Sequence, residues 1–326
     1  MNRTGWVRRA ALVALASFVT AAAAQDYPSK PIVLLVPFAA GGPTDIVARS
    51  LGQAMGKVLN QTIVVENAVG AGGTIAPTKL KNSAPDGYTL LLAHIGMSTA
   101  PALYKTLPFK PADDFEYIGQ VVDVPMTLLG KPGLPANDLK ELVAYIKANK
   151  DKISFANAGV GSASHLCGLL FMTAIETELV TVPYKGTAPA MNDLLGGQVD
   201  LLCDQTTQTT QYIKAGRVKA YGATSATRVD TLRELPTLAQ AGLMGFEVVV
   251  WHGVYAPRGT PKPVIDKLVA TLQTAIQDPT FVQRMSELGS QVVSREKATP
   301  DGLRNHLKAE IDRWTPIIRK AGVYAE

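Results

Sequence analysis

Two stretches of the sequence share a construction that can hold an anion. Phe38-Ala39-Ala40-Gly41-Gly42-Pro43-Thr44-Asp45 and Ala158-Gly159-Val160-Gly161-Ser162-Ala163-Ser164-His165 each follow an apolar run and lead into a helical pattern. Glycines let the backbone come close to a ligand, and the first N–H groups of a helix have no partner inside it. A helix start carries roughly half a positive charge, so two facing each other supply about one unit charge without any Lys or Arg. That is what a carboxylate needs. One glycine turn is the ordinary joint between strand and helix; the repeated construction is what points to a site. Asp45 and Arg49 are spaced to form an i,i+4 pair within the first of these helices.

Enzyme signatures come close and fail. Gly96-Met97-Ser98-Thr99-Ala100 ends in alanine where a nucleophile elbow needs glycine. Gly159-Val160-Gly161-Ser162-Ala163-Ser164 and Gly70-Ala71-Gly72-Gly73-Thr74-Ile75 lack the third glycine of a dinucleotide fingerprint, and there is no phosphate loop ending in Lys-Ser/Thr. The histidines, His94, His165, His252 and His306, lack metal-ligand spacing, so neither a metal nor a cofactor is expected. A hydrolase using Ser98 or Ser164 with a histidine is the only enzyme reading left, and these failures weigh against it.

The elements that must position the turns alternate between strand and helix. Ile32–Val36 is a continuous apolar run, the mark of a strand covered on both faces. A helix is expected from Thr44 to about Val58, with Pro43 suited to its first position. Strands follow at 62–66 and 88–93, with a helix between them that ends near Asn82. The scheme repeats with helices at 139–149, from 164 and at 189–195, and strands at 153–158, 179–182, 199–203, 220–224 and 247–255. The remainder reads as helices at 263–277, 278–288 and 300–321, which lack strands of their own and should pack back on the first unit. This implies an α/β fold of two doubly wound lobes, 25–124 plus 250–326 and 125–249. The chain crosses near 121–130 and 247–255, with a cleft between the lobes for a ligand.

The N-terminus is a targeting segment. Arg3, Arg8 and Arg9 precede an apolar run at 10–20, about half a membrane span, and Ala22-Ala23-Ala24 offers a cleavage site. A cut after Ala24 leaves 29 basic against 27 acidic residues, a net charge of +2, with no basic stripe for nucleic acid. Nor does any later run approach a membrane span. At 326 residues with 47% hydrophobic content, disorder is excluded and two domains are expected. Export places Cys167, early in a helix, and Cys203, at a strand end, where they can bridge; two buried free thiols are the alternative.

Together the residues resemble a family. Tyr27-Pro28-Ser29-Lys30-Pro31-Ile32 and Val36 through Arg49 are similar to the start of mature Bug-type receptors, the extracytoplasmic solute-binding proteins of tripartite tricarboxylate transporters. The likeness continues through Glu66-Asn67, Gly70-Ala71-Gly72-Gly73, Pro85-Asp86-Gly87-Tyr88-Thr89-Leu90 and Gly161-Ser162-Ala163-Ser164-His165-Leu166. Val182-Pro183-Tyr184-Lys185-Gly186 and Ala256-Pro257-Arg258-Gly259-Thr260-Pro261 complete it. The resemblance implies a two-lobed type II periplasmic binding protein that closes on a small carboxylate-bearing anion, a di- or tricarboxylate or an aromatic acid. It would work as a monomer and deliver its ligand to membrane permease subunits. Carried over by position, the ligand residues are Phe38, Ala39, Gly41, Gly42, Thr44 and Asp45, then Gly159, Gly161, Ser162, Ser164 and His165, with Asp204 at a strand end. His94, Met97, Gln205, Trp251 and His252 are candidates for specificity because strand ends and crossings line such a cleft. The Cys167–Cys203 bridge is not a general feature of the family. A ligand-sensing partner of a sensor kinase is the alternative to transport.

Overall fold

The apolar run Ile32–Val36 forms the strand the sequence implies, buried on both faces. Leu34 and Val36 pack with Val47, Leu51 and Met55 on one side, and Leu35 packs with Ala76 and Leu80 on the other. Such double covering removes the alternation expected of a half-exposed strand. The computed structural model describes residues 27–322, so the expected signal peptide lies outside the described residues. The order is β1 (Ile32–Val36), α1 (Pro43–Leu59), β2 (Ile63–Asn67), a 3-10 turn (Ala71–Gly73), α2 (Ile75–Lys81), β3 (Thr89–His94), α3 (Gly96–Leu103) and β4 (Phe115–Gly130). There follow α4 (Leu139–Asn149), β5 (Ser154–Asn157), α5 (Ala163–Ala174), β6 (Val180–Pro183), α6 (Thr187–Leu195), β7 (Leu201–Gln205), α7 (Thr206–Lys214) and β8 (Lys219–Ala223). The chain closes with β9 (Val249–Pro257), α8 (Lys262–Ala275), α9 (Pro279–Glu287), β10 (Gln291–Val292) and α10 (Pro300–Ala321).

One long strand serves both lobes. From Phe115 to Pro125, β4 pairs antiparallel with β9; from Met126 to Gly130 it pairs with β7, and β8 flanks it on its other edge. In one lobe β2, β1 and β3 are parallel and β9 runs against β3. In the other β6, β5 and β7 are parallel. The return crossing is at Val248, whose N–H bonds to the Thr224 carbonyl just before β9 begins. The closing helices lie against the first lobe as expected, α8 on α1 and α10 on α3 and β4.

Two helices escape a reading by pattern. Gly96–Leu103 contains Pro101, and Thr206–Lys214 reads TTQTTQYIK, rich in β-branched threonine, a weak helix former. Tertiary partners hold the second one. Thr209 shares a hydrogen bond with Thr127 (2.9 Å), and Thr206 and Thr210 donate to the Gly289 and Leu288 carbonyls at 3.1 and 3.0 Å. Cys167 in α5 and Cys203 in β7 form a disulfide with a Cα separation of 6.1 Å, within the range a bridge permits. It fastens the helix of the second glycine turn to the strand that carries Asp204.

Candidate functional site

Both glycine turns open onto the same cavity at the carboxyl ends of the strands, where open α/β sheets hold ligands. Thr44 and Phe38 line it from one lobe; Ser162, Ser164, Thr187 and Asp204 line it from the other. Four helices begin here, α1, α5, α6 and α7, so their positive ends converge on one point.

Of the carried-over residues, Thr44, Asp45 and Ser164 at the helix starts keep open amides, whereas the amides of Ala39 and the turn glycines are already engaged. In the first turn Ala39 N–H donates across the cleft to the Lys185 carbonyl (3.1 Å), Gly41 N–H to the Asp45 carboxylate (2.9 Å) and Gly42 N–H to the Ala39 carbonyl (3.3 Å). Those three are spent on shaping the loop and closing the cleft. The amides of Thr44 and Asp45 remain without an acceptor among the described residues. In the second turn Gly159 N–H is taken by the Asn157 side chain (2.8 Å) and Gly161 N–H approaches His165 Nδ1 (3.4 Å). There the amides of Ala163 and Ser164 remain open among the described residues. The glycines matter for geometry: Gly41 at φ +78°, Gly159 at +96° and Gly161 at +88° occupy the region that side chains disfavour.

Asp45 is the organiser of its turn rather than a wall of the cavity. Its carboxylate, nearly wholly buried, accepts from Gly41 N–H, from Arg49 Nε (2.8 Å) and from Asn67 Nδ2 (3.0 Å). Burial works against its charge, but the hydrogen bonds and the nearby guanidinium outweigh it and hold the carboxyl below its usual range. The serines are partly committed as well. Ser162 Oγ caps α5 by accepting His165 N–H (3.2 Å), Ser164 Oγ accepts Ala158 N–H (2.8 Å), and the two hydroxyls lie 3.1 Å apart. Since one proton is used between them, the pair keeps one O–H to offer inward. His165 itself packs behind the turn.

The histidines divide by role. Phe38 stacks on His94 at 4.8 Å, and His94 Nδ1 accepts Gly96 N–H (2.9 Å), which leaves its proton on Nε2. His252 stands behind Thr44, its Nε2 3.3 Å from the hydroxyl. Burial lowers His94 and His165 to about 4 and His252 well below its ordinary range, so all three rings are neutral. Met97 lines an adjoining apolar space with Tyr104 and Phe109, beyond the Phe38–His94 stack. Trp251 departs from expectation. It alternates with His252 on β9 and points to the opposite face, where its indole N–H meets Glu310 of α10 (3.3 Å). A strand end at the cleft presents every second side chain away from it.

Asp204 and Gln205 end β7 at the cavity wall. Asp204 is fully buried and both of its carboxylate oxygens lack a partner, as does Gln205 Oε1. Burial pushes the Asp204 carboxyl up to about 7; the Gln205 amide and the Thr187 hydroxyl oppose this, though neither stands in good hydrogen-bonding geometry. Thr187, at the start of α6 after Gly186, is a cavity residue that the sequence reading missed. Its signal was present: Pro183-Tyr184-Lys185-Gly186-Thr187 is a third strand–glycine–helix joint.

The lobes touch around the cavity. Tyr104 OH lies 2.8 Å from the Val160 carbonyl, Thr99 Oγ1 donates to the Gly161 carbonyl (3.3 Å), and Gly72 abuts Val160 so closely that any Cβ there would overlap its oxygen. None of Gly72, Thr99 and Tyr104 stands out as a site residue in the sequence, since each acts by contact between the lobes.

Two lobes joined by a shared strand, closing on a cavity at the helix starts, define a two-lobed periplasmic binding protein. Residues 47–323 match the family described as "Tripartite tricarboxylate transporter family receptor", and the chain belongs to it. A protein of Agrobacterium vitis, described as "UPF0065 protein in the TAR-I ttuE-ttuC' intergenic region", is 46% identical over 302 residues, covering 92% of this chain and 87% of that one. Among solved structures, the periplasmic binding protein BugD is 55% identical with a TM-score of 0.90, covering 92% of this chain and all of that one. MatC from Rhodopseudomonas palustris, with bound malate, is 38% identical with a TM-score of 0.87 over 90% of this chain and 100% of that one. An R. palustris protein with adipate is 31% identical with a TM-score of 0.87 over 92% of this chain and 99% of that one.

Proposed function

We propose that the chain captures a small dicarboxylate or related organic acid in the periplasm and hands it to the permease subunits of a tripartite tricarboxylate transporter. The observation that carries this reading is that residues with open amides line one cavity from both lobes, Thr44 from one and Ala163 and Ser164 from the other, without Lys or Arg in its wall. Backbone N–H groups and a hydroxyl suit a carboxylate there, and the helix starts supply the positive potential. Malate and adipate in two relatives agree with that chemistry.

The mechanism is closure of lobe 25–124 plus 250–326 onto lobe 125–249 about β4 and the start of β9. A ligand that bridges both sets of amides binds the closed state better and shifts the population towards it in proportion to that difference. The permease would then read the closed outline. The chain works as a monomer, released by cleavage after Ala24. A thermal-shift screen of malate, succinate, adipate, citrate and benzoate tests the reading. A ligand at about 100 times its Kd adds about 2.7 kcal/mol, which moves the midpoint by several degrees. A flat response to every acid overturns it.

A further inference from the structure

The observation that carries further is the buried carboxylate of Asp204. An ionised carboxylate accepts hydrogen bonds and donates none, and so does a ligand carboxylate. Two such groups facing each other in a closed cavity repel unless a proton lies between them, the situation of any carboxylate pair that shares a site. Asp204 meets these conditions: both oxygens lack a partner, the side chain is fully buried, and it lines the cavity opposite Thr44 and beside Ser162 and Ser164.

No neighbouring charge relieves the conflict. On α1, Asp45 is occupied by Arg49, Gly41 and Asn67. On β3, α5 and β9 the groups that titrate are His94, His165 and His252, all buried and neutral, and Tyr255, whose hydroxyl burial keeps protonated. The faces of α6, α7 and β4 offer Thr187, Gln208 and Thr127, which do not titrate. Hence the cavity can supply donors from its helix starts to one side of an acid, while Asp204 on the other side can only repel it or share a proton with it.

We propose that the receptor binds a dicarboxylate together with one proton, carried by Asp204 and shared with a ligand carboxylate oxygen. This rests on the receptor reading above. The O–H bond forms on Asp204 Oδ at the expense of solvent hydronium or buffer acid, and no other bond changes. In the open form the carboxyl meets water and ionises more readily; closure over an anion raises its affinity for the proton. Capture is therefore linked to pH, and release is favoured where the proton can leave.

The test is calorimetry of the purified chain with malate, succinate and adipate, from about pH 6 to about pH 8.5, in phosphate and in Tris, whose ionisation heats differ. The expected result is uptake of about one proton at the alkaline end, with affinity falling about tenfold per pH unit there. Asp204→Asn, an amide of the same shape that cannot ionise, should abolish the uptake and flatten the pH profile, raising affinity above wild type at the alkaline end. Binding with no proton uptake and a flat profile overturns the proton alone. Aspartate binding at least about tenfold more tightly than malate, without uptake, also overturns it by placing an ammonium against Asp204. Absence of binding by all the acids overturns the receptor reading, and the proton with it. The wild-type titration stands by itself if the variant does not fold.

Discussion

Replacing Gly72 by alanine should leave the cavity wall intact and yet prevent the receptor from closing. Gly72 sits in the 3-10 turn of one lobe at φ +59°, and a Cβ there would overlap the Val160 carbonyl oxygen of the other lobe and lie 2.5 Å from the Tyr104 hydroxyl. Backbone cannot step aside as a side-chain tip can, so the overlap is relieved by keeping the lobes apart. Two hydrogen bonds then go unmade, Ala39 to Lys185 and Thr99 to Gly161, while the Tyr104 hydroxyl keeps the Ala71 carbonyl of its own lobe. At about 1 kcal/mol each they amount to about 2 kcal/mol, or roughly thirtyfold in affinity. A second cost, about 1–2 kcal/mol for alanine in a left-handed conformation, falls on open and closed forms alike and lowers Tm by a few degrees. Calorimetry with whichever of malate, succinate or adipate binds, paired with small-angle scattering, separates the two costs. The variant should fold, bind about thirtyfold more weakly, and show none of the ligand-induced compaction of the wild type. Gly133→Ala, where a Cβ meets nothing within 4 Å, serves as the control. Wild-type affinity and compaction in the Gly72 variant would refute closure through this contact.

Other expectations follow from the same geometry. Cys167→Ala with Cys203→Ala releases a loop of 36 residues, which should cost about 4 kcal/mol by chain entropy; urea unfolding with and without reductant checks this. His94 and His252 are held neutral when folded but take up a proton when unfolded below about pH 6.5. Stability should therefore fall by up to about 1.4 kcal/mol per pH unit per histidine as pH drops from there towards about 4, measured by urea midpoints at a series of pH values. Ser162→Ala removes the cap of α5 and should cost about 1 kcal/mol of stability by urea unfolding. Ser164→Ala takes away one inward hydroxyl and should weaken acid binding by about fivefold to tenfold in calorimetry.

Most of the fold was open to reading because its strands are buried on both faces and its helices are amphipathic. Ile32–Val36 and Pro43–Leu59 announce themselves by periodicity alone. Helix Thr206–Lys214 does not, because its order comes from Thr127, Leu288 and Gly289, all distant in sequence. At the site, the spacing points to the two turns and their helix starts but does not separate open amides from engaged ones. A spacing argument identifies a helix start; it does not say which N–H groups the loop has already consumed, and Asp45 consumes that of Gly41. Trp251 was misplaced because the parity of β9 is set by its pairing with β3 and β4 rather than by its own sequence. Gly72 and Tyr104 were missed because their contribution is contact between lobes, which a linear sequence does not display.

The central claim is that amides at helix starts in both lobes grip one anion together. Amide NMR spectra of the labelled chain, recorded as malate, succinate or adipate is added, test it most directly. The account predicts that Thr44 and Asp45 of one lobe and Ala163 and Ser164 of the other move downfield together at a common saturation point. Saturable binding that shifts the amides of one lobe alone, or of neither, would contradict it.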